Sequence, residues 1–148
     1  MPCTVKAFLN LRVPMRDGTE LATHVYLPDS EGPFTVLLVR TPYDAIAMGN
    51  KPSLEWPGRG YAYIIQDVRG RFLSGDDFYP HFNEKNDAED SFNWIVAQSW
   101  CNGAIAMYGG SYQGVTQNAA AMKVARQTIF HSTEYPSRII LPVIPKGN

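Results

Sequence analysis

Apolar residues recur along this chain in three distinct rhythms, and each rhythm predicts a different element. Lys6 to Val13 and Glu20 to Leu27 alternate at period two, as half-buried strands do. Between them Arg16-Asp17-Gly18-Thr19 places Asp-Gly at the centre of a hairpin turn. Phe34-Thr35-Val36-Leu37-Leu38-Val39 is nearly continuous in apolar residues, the pattern of a strand covered on both faces, and Tyr61 to Gln66 reads the same way. Ala45 to Arg59 reads as a short helix plus a loop, interrupted by Pro52 and Pro57. Asp67 to Pro80 is a long loop rich in Gly, Asp and Arg. Asn86 to Gln98 repeats Ala88, Phe92, Ile95 and Val96 at helical spacing. Ala104 to Tyr108 is a short apolar strand, and Gln113 to Lys123 holds good helix formers and no proline.

The order hairpin, strand, helix, strand, helix, strand, helix is that of the first half of an open α/β sheet. The last residues depart from it. Arg126 to Phe130 and Arg138 to Ile144 are strand-like pieces joined by a turn-like stretch. Pro136, Pro142 and Pro145 each remove a ladder donor, which weakens pairing along the sheet edge, so the tail is expected to be a loosely attached hairpin or extended segment.

Composition narrows the class. The chain has 148 residues, 45% hydrophobic and 18% charged, with a formal net charge of −1. Such a balance is that of a folded globular domain. Without a basic run, nucleic acid and anionic membranes are not expected partners. The sequence shows no leader pattern and no apolar run of about 20 residues, which makes the cytoplasm the expected location. Cys3 and Cys101 match no metal spacing and are expected to be thiols. No cofactor and no metal site is expected.

The candidate chemistry sits at Gly109-Gly110-Ser111-Tyr112-Gln113-Gly114, between the last strand and its helix. A serine between glycines at such a junction is the nucleophile elbow of an α/β-hydrolase. The glycines permit a sharp turn, so Oγ projects above the sheet and the helix N-terminus faces the reacting carbonyl. In that fold an acid and then a histidine follow the serine. Residues 112–148 contain no Asp, one His (His131) and one Glu (Glu134), in the opposite order. Neither the acid nor the base of a triad is therefore identified. His24, in an alternating strand, is expected to be half-buried or solvent-facing, and His81 lies in a loop. Asp67, Arg69 and Arg71 are expected to hold the post-strand loop together by charge-assisted hydrogen bonds. Trp94 and Trp100 read as core aromatics.

Several local motifs carry a resemblance. They are Met15-Arg16-Asp17-Gly18, Val25-Tyr26-Leu27-Pro28, Arg40-Thr41-Pro42-Tyr43-Asp44, Arg59-Gly60-Tyr61, Gln66-Asp67-Val68-Arg69-Gly70-Arg71, Asn83-Glu84, Trp100-Cys101-Asn102-Gly103 and the Gly-Gly-Ser-Tyr-x-Gly elbow. In this order, from about residue 10 to about 121, they resemble the cocaine-esterase and X-prolyl dipeptidyl-peptidase group of serine hydrolases. The resemblance implies an α/β-hydrolase fold and Ser111 as nucleophile. It also implies an oxyanion hole made by Tyr43 Oη and the backbone N–H of Tyr112, and an ester or amide (peptide) substrate.

Members of that group are several times longer. His131 to Pro145 resembles the closing strands of their C-terminal jelly roll. The expected organisation is a partial α/β-hydrolase domain over residues 1–123, mostly parallel with an N-terminal hairpin, and a jelly-roll-like tail over 124–148. An internal deletion, a gene-model error and a degenerate gene all fit that join. Turnover is then expected to be impaired. The competing reading is a non-catalytic remnant, or an interaction partner of a full-length relative. A half sheet with strands written for two-sided cover is expected to expose apolar area unless it self-associates.

Overall fold

The hairpin forms where the Asp-Gly pair predicts it. β1 (Val5–Pro14) and β2 (Glu20–Pro28) pair antiparallel, with Val13 opposite Leu21 and Pro14 opposite Glu20. At the turn Gly18 adopts φ 86°, and the Asp17 carboxylate accepts the Thr19 N–H at 3.1 Å. This computed structural model describes residues 4–124 and 128–132.

Four further strands complete one sheet: β3 (Phe34–Thr41), β4 (Ala62–Asp67), β5 (Cys101–Gly109) and β6 (Thr128–Ser132). Its order is β1-β2-β4-β3-β5-β6. β4 runs antiparallel to β2, while the β4–β3, β3–β5 and β5–β6 pairs are parallel. The sheet is open and mixed, as the alternation of elements predicts.

The continuous apolar runs of β3 and β4 have their cause in layers on both sides. On one face Val36, Leu38 and Ile64 pack with Ala88, Phe92 and Ile95 of α3 (Glu84–Val96) and Ala120 of α4 (Tyr112–Val124). On the other, Val39, Tyr63 and Ile65 pack with Ala45 of α1 (Ala45–Gly49) and Trp56 of α2 (Pro52–Gly58). Period-two alternation sends successive residues to opposite layers, so both sets are apolar. The stretch read as one helix plus a loop is thus two helices. Asp44 caps the first by accepting the N–H groups of Ile46 and Ala47, and Pro52 opens the second.

Three expectations are corrected. The strands expected to lack cover, β3 and β4, have it on both faces; the large exposed apolar side chains lie elsewhere, among them Phe8 and Leu9 on β1, Leu54 on α2, Phe82 in the 68–83 loop and Met122 on α4. Trp94 and Trp100 are half-buried, edge-on to each other at 6.3 Å, and pack against the core from its margin. His24 is fully buried, because β2 is an inner strand covered on both faces rather than a half-exposed one. Of the tail, Thr128–Ser132 forms a parallel edge strand beside β5. Arg138 to Ile144, the three tail prolines and Cys3 lie outside the described residues.

Burial of His24 has a measurable consequence. Its Nδ1 accepts the N–H of Asn10, and burial lowers its pKa, against a smaller opposing pull from Asp67 and Asp44. The unfolded chain therefore binds the proton more readily than the folded one, so stability rises with pH across this window. It is fully present above the ordinary histidine value of about 6.5 and is lost as pH falls below it. Urea midpoints measured between pH 5 and 8 should decline on the acid side, and His24→Asn should flatten that decline. An equal slope in both proteins would refute the assignment.

Candidate active site

The C-terminal ends of β3 and β5 bring together the residues singled out in the sequence. The strands are parallel neighbours, so the turns that follow them open on the same edge of the sheet, where open α/β sheets bind ligands. Tyr43 follows β3, and Ser111 lies between β5 and α4. Tyr43 Oη and Ser111 Oγ are hydrogen-bonded at 2.8 Å, and both residues are exposed. The backbone N–H of Tyr112 donates to Tyr43 Oη at 3.2 Å.

The strand–turn–helix junction is held in a conformation that few sequences tolerate. Ser111 adopts φ 56°, in the left-handed region, and Gly109 adopts φ 133°. A Cβ at Gly109 would lie 2.1 Å from Gln113 Oε1 and 2.7 Å from Gln113 Cβ. Helix α4 is tied down by its own polar residues. Gln113 Nε2 donates to Thr41 Oγ1 (3.3 Å), Thr116 Oγ1 to the Arg40 carbonyl (3.1 Å) and Gln117 Nε2 to the Gly109 carbonyl (3.0 Å).

The loop over residues 68–83 forms a wall beside the junction. Arg69 is its hub, reaching Asp87 (2.7 Å), Asp17 (2.6 Å), Thr19 (2.7 Å) and Asp76 (2.9 Å). Bonded to this guanidinium, the Asp17 carboxyl drops to about 2 and that of Asp76 is also lowered. Arg71 Nε donates to the Pro42 carbonyl, which couples the loop to the turn bearing Tyr43. The expectation that Arg69 and Arg71 brace this loop is met. The Asp67 carboxylate instead serves α1, its Oδ1 accepting the Ala45 N–H at 2.8 Å, while its main-chain carbonyl accepts from Ser74 of the loop. The rings of Phe78 and His81 stand 5.9 and 5.3 Å from the ring of Tyr112.

Sequence reasoning took Tyr112 for its amide alone. Its side chain also takes part: the hydroxyl donates to Glu84 Oε1 and accepts the N–H of His81, each at 3.0 Å. Glu84 in turn pairs with Arg40, which is completely buried. An arginine inside an apolar strand was the available signal, since a buried cation requires a buried partner. Among residues 4–124, the hydrogen-bond partner of Ser111 Oγ is Tyr43, and no imidazole or carboxylate of that stretch bonds to it. His131 lies in β6, with its backbone opposite Tyr108. No group of His, Cys, Asp and Glu among the described residues is arranged to hold a metal ion. Nor is any helix among them long and apolar enough to cross a membrane.

An open, largely parallel sheet whose helices cover both faces and whose polar residues gather at the strand ends defines an α/β fold of the hydrolase kind. The chain belongs to the X-Pro dipeptidyl-peptidase (S15) family, which matches residues 17–133. It is 49% identical over 118 residues to the cocaine esterase of Rhodococcus sp. (strain MB1 Bresler), covering 76% of this chain and 21% of that protein. An alpha-amino acid ester hydrolase superposes with a TM-score of 0.72 at 29% identity, over 78% of this chain and 23% of that one. A CocE/NonD family hydrolase from Staphylococcus aureus shares the fold, with a TM-score of 0.74 at 23% identity, over 84% and 26%. The chain spans about a fifth of the length of the curated relatives it matches. The family is one of serine hydrolases.

Proposed function

We propose that this chain carries the nucleophile and oxyanion donors of a serine hydrolase of the cocaine esterase and X-prolyl dipeptidyl-peptidase type. The observation that supports this most is the triangle of Ser111 Oγ, Tyr43 Oη and Tyr112 N at the strand ends. Ser111 Oγ attacks the carbonyl carbon of an ester or amide and a C–O bond forms. The carbonyl oxygen gains the negative charge and takes hydrogen bonds from Tyr43 O–H and Tyr112 N–H. The intermediate collapses by breaking the bond from carbon to the ester oxygen or amide nitrogen, and the leaving group takes up a proton equivalent to the one Ser111 gives up. Water then hydrolyses the acyl-serine to acid and free Ser111. Because Tyr112 N–H rests on Tyr43 Oη, an entering oxygen must replace that bond.

A base for the Oγ proton is not assigned in this reading. Removing a triad's base costs on the order of 10⁶ in rate, leaving about 10³–10⁴ over water from the oxyanion hole and binding. Slow acylation is therefore expected of this chain. Residues 1–123 hold every proposed site residue. Residues 124–148 are taken as a separate tail, of which Thr128–Ser132 extends the sheet. Cytoplasmic location, a small-molecule substrate and self-association complete the proposal.

Incubation with a fluorophosphonate probe followed by intact-mass measurement tests it. One slowly formed adduct is expected on the unsubstituted chain and none on Ser111→Ala. An adduct on the alanine variant would remove Ser111 from its role. Fast stoichiometric labelling would show that a base acts on Ser111 after all.

A further inference from the structure

The Tyr112 side chain is the part of the Ser111 turn that reaches back into the protein. Its hydroxyl donates to Glu84 Oε1, at the N-terminus of α3, and accepts the His81 N–H from the neighbouring loop. The other oxygen of Glu84 receives Arg40 Nη1 at 2.9 Å. Arg40 Nε donates to Gln66 Oε1 at 2.8 Å, and the Arg40 carbonyl accepts from Thr116 of α4. Three residues after Arg40 stands Tyr43. A single hydrogen-bonded chain thus runs behind the site and joins the segments that carry both oxyanion donors.

We propose that Tyr112 Oη, Glu84 and Arg40 are positioning residues that aim the Tyr112 N–H and hold the left-handed turn at Ser111; this rests on reading Ser111 as the nucleophile. A non-glycine residue at φ 56° persists only where its surroundings over-determine it. The constraint on Tyr112 matters most, because its N–H must point to where charge develops in the transition state. The Arg40–Glu84 pair alone would tie α3 to β3 and needs no tyrosine at 112. The phenol nonetheless commits its donor and an acceptor site to two further segments. Burial pushes that phenol up to about 12, so it remains a proton donor at neutral pH.

Tyr112→Phe removes one oxygen atom, and Glu84→Gln keeps an acceptor but removes the charge. Two measurements on the full chain decide the matter. Amide hydrogen exchange followed by NMR should quicken about tenfold or more at Tyr112, while amides of β3 and β4 stay within about twofold. The saturating rate of fluorophosphonate labelling should fall about ten- to a hundredfold, with the half-saturating concentration unchanged, since a misaimed donor weakens the transition state and not binding. A role confined to fold stability would lower the melting temperature and leave both quantities unchanged per folded molecule; that result overturns the proposal. Should Glu84→Gln fail to fold, Tyr112→Phe decides alone. If the unsubstituted chain is not labelled, the nucleophile reading fails, and exchange at Tyr112 still decides the positioning role.

Discussion

Replacing Arg40 by methionine is expected to destabilise the chain by about 3–5 kcal/mol, measured as a shift in urea midpoint at constant slope. Arg40 is completely buried and Glu84 nearly so, with 2.9 Å between Nη1 and Oε2. Methionine fills most of the volume and leaves the Glu84 carboxylate without its cation in a poorly solvated position. Truncating one partner costs far more than the pair contributes, because the remaining charge loses both water and its counterion. Domains of this size have roughly 5–15 kcal/mol in total, so the variant should sit near its folding threshold. Adding Glu84→Gln to Arg40→Met should recover part of the loss. A single-variant loss below about 1 kcal/mol would mean that the carboxylate finds solvent or another partner.

Gly109→Ala should cost about 2–6 kcal/mol and abolish covalent labelling of Ser111. Two independent effects add. At φ 133° an L-residue is strained, by about 1–3 kcal/mol. The new Cβ also meets Gln113 at 2.1 and 2.7 Å, and such overpacking costs about 1–3 kcal/mol more. Gln113 cannot simply swing away, since its Nε2 is bonded to Thr41 Oγ1 and its Cβ is carried by a backbone whose main-chain carbonyl accepts from Thr116 and Gln117. Relief has to come from the backbone at Gly110 and Ser111, which displaces Oγ from Tyr43. Thermal melts and intact-mass labelling together check this. A variant that labels at the normal rate would show that the junction tolerates a side chain there.

Local signals account for what was legible in the sequence. Asp17-Gly18 marks a turn through backbone preference alone, and the unbroken apolar runs of β3 and β4 announce two covered faces. The glycines around Ser111 disclose a junction that excludes side chains. What stayed hidden depends on partners remote in sequence. Arg40 and Glu84 are 44 positions apart, and nothing near either names the other. His24 follows the alternation of a half-exposed strand, yet β2 is an inner strand because β4 adds to its free side. The second oxygen contact of Tyr112 depends on where the 68–83 loop settles, which is fixed by Arg69 gathering carboxylates from three segments.

The position of β3 in the sheet governs when the proposed nucleophile can exist during synthesis. Both neighbours of β3 come later in the chain, and β5 follows it by about 60 residues. At ~5–20 residues per second, a ribosome needs about 3–12 s to deliver them. Phe34–Thr41 gains β4 (Ala62–Asp67) about 20 residues on, and for the rest of that interval its β5 side stays without a partner. Tyr43 and Ser111 meet only after β5 has closed onto β3, so the proposed nucleophile is assembled later than the hairpin and the β3–β4 pair.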